Sequence, residues 1–224
     1  RGGLEEHCDN LIPARSDGKM GILARIRSSL FTGSVNPQTR KDLGRLIDVL
    51  ERRVETARLG VTRFFDTLAR FIEDHSDESG DYERRMRLTS SSRTQPAWSD
   101  VELAGENLSL ALKAVDTGLG QAHTSLEALT SAQVSDRDGL LAEIIFQMGT
   151  THELQVQIDS GVLSPDTEMV YWGYWGQGGA VGLCGAPLGV GGLLERDLFS
   201  EKDSVVLTSA TLSTQGSFHY IKER

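Results

Sequence analysis

The feature that most constrains this chain is one amphipathic run from Asn36 to Asp74. Asn36 before Pro37 is a helix start: the amide side chain accepts from an orphan backbone N–H, and the proline ring presets φ where no N–H is needed. From there apolar residues recur at Leu43, Leu46, Ile47, Leu50, Val54, Ala57, Val61, Phe64, Phe65, Leu68 and Ile72. At 100° per residue they share one broad face. Such a helix reaches ~55 Å at 1.5 Å per residue, well beyond the globular average. Gly60 is its one soft point and marks where a bend could fall.

Two further helices are expected. Ser99-Asp100 caps a run whose Leu108, Leu112, Val115, Leu119, Ala122, Leu126 and Leu129 step by four and three, a coiled-coil-like seam. After Thr130-Ser131, a Ser135/Asp136 cap opens a third helix with Leu141, Ile144, Ile145, Met148, Thr151, Gln155 and Ile158. Long helices joined by short connections pack antiparallel.

The rest is shorter and mixed. Arg1 to Asp17 reads as a loop or fraying helix, in which adjacent His7 and Cys8 lack the further ligands that a zinc site wants. Met20 to Phe31 reads as a short helix and Tyr82 to Thr89 as a short strand. Trp98, just ahead of its helix, reads as a staple over the core or as a base-stacking side chain. From Gly161 glycine becomes dense, and Met169 to Trp175 turns at Gln177-Gly178-Gly179 into Ala180 to Leu188, a hairpin candidate. Its aromatics Tyr171, Trp172, Tyr174 and Trp175 are expected to pack it on the helices. Val205-Val206-Leu207 suits a strand buried on both faces, with the hydroxyls of Thr208, Ser209 and Thr211 at its carboxyl end, where α/β proteins place ligands. The bare alternative is a helix cap. The fold class expected is α+β and predominantly helical: long antiparallel helices over residues 1–162, then a β hairpin and one further strand over 163–224.

Composition narrows the function. At 224 residues the chain can bury a real core, and its net charge of −9 argues against a protein that coats nucleic acid with its whole surface. A local basic track remains open. Two cysteines, Cys8 and Cys184, support neither a disulfide framework nor a four-cysteine metal or iron–sulfur site. No apolar run approaches the ~20 residues of a membrane span, and no signal peptide is visible; a reducing cytoplasm is expected. There is no G-x-x-x-x-G-K-[ST] phosphate loop and no D-E-A-H-like acidic box.

Five pieces occur in order: W-x-x-W at Trp172 to Trp175, A-P-L at Ala186 to Leu188, L-L-x-x-x-L-F at Leu193 to Phe199, S-V-V-L-T-S-A-T-L-S at Ser204 to Ser213, and S-F-x-Y at Ser217 to Tyr220. This order resembles the DinG-like branch of superfamily 2 DNA helicases, relatives of XPD. The match covers about the last quarter of the chain. R-L-T at Arg87 to Thr89, then P-x-W at Pro96 to Trp98, resembles the same family's arch less specifically.

The resemblance implies a 5′-to-3′ ATP-dependent DNA helicase, with Thr208, Ser209, Ala210 and Thr211 as motif III, relaying the state of the γ-phosphate to the surface that grips single-stranded DNA. It implies that ATP and Mg²⁺ are held by motifs outside this stretch, and that the chain, which starts at Arg1 and stops at Arg224 within an apparent helix, is the arch insertion plus the final strands of the first motor domain.

Two basic clusters are candidate DNA contacts. Arg45, Arg52, Arg63 and Arg70 step by seven, eleven and seven and so form one stripe opposite the apolar face, with Asp48, Glu51, Glu55 and Asp66 interleaved. They read as a phosphate-following row or as an ordinary solvated face. Arg84, Arg85 and Arg87, with Arg93 nearby, are the second. The alternative to a helicase is a non-enzymatic helical adaptor binding a protein partner; dimerisation through exposed strand edges in residues 163–212 is also open.

Overall fold

A computed structural model describes residues 1–13, 20–76, 83–176, 179–206, 208 and 218. The fold is α+β and predominantly helical. In chain order it runs α1 Gly2–Leu11, α2 Ile22–Thr32, α3 Pro37–His75, β1 Glu83–Arg87, α4 Ser90–Arg93, α5 Trp98–Glu127, α6 Arg137–Ile158, β2 Met169–Gly176, β3 Val181–Pro187 and the short α7 Gly191–Leu194. By contacts the chain divides into a large unit, residues 1–165 with 171–184, and a small one, 166–170 with 185–224; the sequence places its seam at 162/163.

In the large unit α3 begins where its cap predicts, with the Asn36 side chain accepting from Gln38 N at 2.8 Å. Every apolar residue expected on its face is buried except Leu46, and Phe71 joins them. The helix continues unbroken across Gly60, against which Leu108 of α5 packs. Contacts of α3 with α5 run Phe71 to Trp98, Phe64 to Gly105, Gly60 to Leu108 and Leu50 to Gly118. One series descends as the other climbs, so the two helices are antiparallel. Gly120 to Met148 and Ser109 to Gln155 orient α5 and α6 in the same way.

Two expectations change here. The first segment is a helix, α1, whose buried Leu4, His7, Cys8 and Leu11 form a stripe at spacings of three and four. The guanidinium of Arg58 from α3 anchors its end by donating to Cys8 O and Ile12 O, and pairs with Asp9 at 3.1 Å. The third helix is rotated from the face expected: Ile144, Thr151 and Ile158 are buried as expected, but Leu140 and Gln147 join them, Leu141, Met148 and Gln155 are half-buried and Ile145 is exposed. Apolar residues encircle α6, so its periodicity does not select a side; packing on α5 and α1 does.

The chain leaves α6 through a π-helical turn, Asp159–Leu163. Arg93 donates to its Gly161 O at 2.7 Å and Val162 O at 3.0 Å, supplying partners for carbonyls that a helix end leaves unmet. The same guanidinium lies 4.9 Å from the Trp98 ring centre.

The strands form one sheet in the order β1-β2-β3. β1 is antiparallel to β2, pairing Arg84 with Trp175, Arg85 with Tyr174, Met86 with Gly173 and Arg87 with Trp172. Gly176 N to Ala180 O, 2.8 Å, closes the β2–β3 hairpin. Side chains alternate across a strand, and one face lies on α3: a Cβ at Gly173 would fall 2.6 Å from Ile72 Cδ1.

Ser204, Val205 and Val206, expected to begin an inner strand, have no strand partner among the described residues, and Val206 is 85% exposed. A strand buried on both faces needs neighbours to complete its ladder, and the described strands end at β1 and β3. Leu207 lies outside the described residues. Among those described, no helix is long and apolar enough to cross a membrane.

Candidate nucleic-acid interface

Arg45, Arg52, Arg63 and Arg70 are all exposed on the outer side of α3, because the apolar stripe opposite them is committed to the core. Arg45 lies 3.7 Å from Asp42, and Arg70 donates to Asp66 O and Thr67 Oγ1 at 3.3 Å each. Arg52 and Arg63 make no side-chain hydrogen bond or ion pair among the described residues.

The interleaved carboxylates are engaged elsewhere. Asp48 and Glu51 both accept from Arg27 of α2, at 2.7 and 3.1 Å, and the Asp48 bond holds the Arg27 guanidinium above its usual pKa range. Glu55 lies 3.9 Å from Arg58, which points inward, and Asp66 lies 3.4 Å from Arg1. These four acids therefore each have beside them a cation from another element or from the inner side, whereas exposed Asp42 pairs with Arg45 of the row itself. What remains outward is a line of four guanidinium groups with exposed carboxylates at its margin.

The second basic cluster divides. Arg84 turns toward α3, donating to Glu73 O at 3.2 Å and lying 5.6 Å from the Trp175 ring centre. Arg93 is structural, as above, and its burial pushes its pKa down. Arg85 and Arg87 are exposed on the opposite, outer face. The β1–β2 register places half-exposed Tyr174 and Trp172 beside them on that face, whereas buried Tyr171 and Gly173 are on the face toward α3. The hairpin aromatics therefore split: Tyr171 is buried as expected, Trp175 is half-exposed beside Arg84 on the face toward α3, and Trp172 and Tyr174 are turned out. Sequence alternation within 169–175 carried this signal, but only the pairing with β1 assigns the sides.

Thr208 is exposed; Ser209, Ala210 and Thr211 lie outside the described residues. Trp98 is fully buried, edge-to-face with Phe71 at 5.1 Å, and its indole donates to Glu102 at 3.0 Å. It begins α5 and belongs to the core, so it is neither a residue ahead of the helix nor a base platform. His7 is buried with Nε2 2.8 Å from Thr151 Oγ1, which itself donates to Gln147 O at 2.7 Å. That hydroxyl proton is thus committed, so His7 Nε2 carries the proton in their contact. No cluster of His, Cys, Asp and Glu among the described residues is arranged to hold a metal.

No protein-family model, curated protein or solved structure matches this chain.

Proposed function

We propose that this chain is the helical insertion and adjoining motor strands of a DinG-type ATP-dependent DNA helicase, and that the outer side of α3 follows single-stranded DNA. The observation that carries the reading is the exposed row Arg45, Arg52, Arg63 and Arg70 on a 39-residue helix, with four of its neighbouring carboxylates engaged by Arg27, Arg58 and Arg1 and only Asp42 paired with the row, at Arg45. Four guanidinium groups in line suit a phosphate chain, each contact releasing counterions. The ordered motifs from Trp172 to Tyr220 support the motor half of the reading. Its apolar Leu188, Val190, Leu193, Leu194, Phe199 and Val206 are exposed, as expected of side chains that more of a motor domain would cover. The residues here do not fit a nucleotide–Mg²⁺ site, with no phosphate loop and no acidic box, so no step of hydrolysis is assigned to them. ATP and Mg²⁺ belong to other parts of such an enzyme, and Thr208, Ser209 and Thr211 act as its coupling hydroxyls.

The test is made in the intact enzyme. Arg45, Arg52, Arg63 and Arg70 changed together to Gln lower single-strand affinity and reduce the salt slope by ~3; unchanged affinity at low salt removes the row from DNA binding. Ser209→Ala with Thr211→Ala impairs unwinding far more than ATP hydrolysis, and equal loss of both contradicts coupling. An adaptor is the second reading, favoured by exposed Ile145, Phe146 and Val156 on α6; it predicts no DNA-stimulated ATPase in the intact protein.

A further inference from the structure

We propose that the outer face of the sheet is a stacking platform for single-stranded nucleic acid, seating two consecutive bases on Tyr174 and Trp172 with their phosphates toward Arg85 and Arg87. This deepens the proposed function by naming a second contact surface, and rests on that reading only for the choice of DNA.

The placement follows from register. Tyr174 and Trp172 are two residues apart on β2, the middle strand, so they point the same way ~7 Å apart. Arg85 is directly across from Tyr174 and Arg87 from Trp172, both on the outer face. On the far side, the Gly176–Ala180 bond sets Gly182 opposite Tyr174. A Cβ at Gly182 would run into Cε1, Cζ and the hydroxyl of Tyr174. The phenol end therefore lies across β3 and occupies the space that the glycine leaves. A ring laid over the strand in this way presents a face, the surface on which a base stacks. Tyr174 also lines an open cleft of about 520 Å³, bounded by Gly179, Ala180 and Val181 and by Arg1 and Glu5 of the first helix, which gives room beside the ring.

The choice of occupant rests on charge and shape. The sheet's other face already packs on α3, so the core does not require these two aromatics, and both are left half-exposed. Large aromatic rings framed by guanidinium groups match a polyanion whose bases are free to splay. Duplex bases are held inside their own stack, whereas sheet-borne aromatics and arginines are a recurrent way to take single strands.

The test titrates the 224-residue chain with an oligothymidylate at low salt, following tryptophan fluorescence. Trp98 is fully buried, and Trp175, half-exposed as Trp172 is, lies on the opposite face beside Arg84, so a base seated on the platform quenches Trp172. Trp172→Phe abolishes the signal and, read by oligonucleotide anisotropy, keeps affinity within about threefold. Trp172→Leu and Tyr174→Leu each weaken binding about tenfold with unchanged helical circular dichroism. Arg87→Gln lowers the salt slope by about 0.7, and Arg87→Lys restores it.

Binding that neither Leu variant alters, binding no tighter than to a duplex of equal length, quenching that survives Trp172→Phe, or no binding at low salt would each overturn the platform. Loss of binding in the α3 arginine variant, with both Leu variants unaffected, overturns the platform and leaves the row standing. An intact enzyme without DNA-stimulated ATP hydrolysis, combined with the tenfold Leu effects, removes the helicase reading and keeps the platform.

Discussion

The helical body and the small C-terminal unit differ in what they bury. In the body, α3 and α5 meet along fully buried Leu50, Phe64, Leu68, Leu108 and Trp98, and three further helices close over the rest. In the small unit no described residue is buried, although Leu188, Val190, Leu193, Leu194 and Phe199 are as apolar as many in the core. Hydrophobicity is thus present in both, but only the body supplies complementary surfaces. A helix satisfies its own backbone and needs only a partner for one stripe; an extended segment such as 204–206 needs neighbours for its amides as well before it becomes a strand. The body therefore covers its own apolar stripes, whereas the described residues of the small unit leave theirs exposed.

The largest effect should come from the body's most buried aromatic. Trp98→Ala removes a fully enclosed indole, its edge-to-face contact with Phe71 and its stacking on Arg93, and should cost about 3–5 kcal/mol in urea denaturation. Phe199→Ala and Val206→Ala should stay within about 0.5 kcal/mol. Comparable losses would mean that the small unit shares the cooperative core, and would break the comparison.

Next is the clamp on the π-helical turn. Arg93→Ala leaves Gly161 O and Val162 O without their donor and should cost about 2–3 kcal/mol. Arg93→Lys should recover only part, since an ammonium cannot bridge two carbonyls and stack on Trp98 at once. Full recovery by Lys would show that charge alone matters there.

The smallest effect is a pH slope in the α1–α6 contact. Burial lowers the pKa of His7 from its ordinary value of 6.5. Below that value the unfolded chain takes up a proton that the folded chain resists, so stability is complete above pH ~6.5 and falls as pH drops toward the folded pKa. Burial is the larger influence, and the nearby Gln147 side chain opposes it only in part. Denaturation midpoints at pH 7.5 and 5.5 should differ more for the native protein than for His7→Leu. Equal differences would show that His7 does not report on this contact.

Local chemistry determined much of the fold in advance. The α3 cap needs only Asn36 and Pro37, and its stripe only a period, so its start, length and buried face were legible in the residues; so were the α5 seam and the burial of Trp98, although α5 begins at Trp98 and not after a Ser99-Asp100 cap. Where local signals were weak or balanced, other elements decided. α1 opens with two glycines and is short, and it is held by Arg58 from 50 residues away. α6 is apolar all round, so Ile144 or Ile145 could equally have turned inward until α5 and α1 took one side. The arginines of 84–93 read as one cluster because sequence records charge and not direction; strand pairing and the carbonyls of 161–162 sent Arg84 and Arg93 inward and left Arg85 and Arg87 outside. The carboxylates interleaved along α3 likewise read as neutralising the row; Arg27, Arg58 and Arg1 lie beside Asp48, Glu51, Glu55 and Asp66, and Asp42 stays with Arg45.

By itself, then, the sequence determined the long helices α3 and α5 and the stripe each of them hides, because helix period and capping are local. Only tertiary structure decided where the charges point, because a long side chain goes to whichever partner the packing brings within reach.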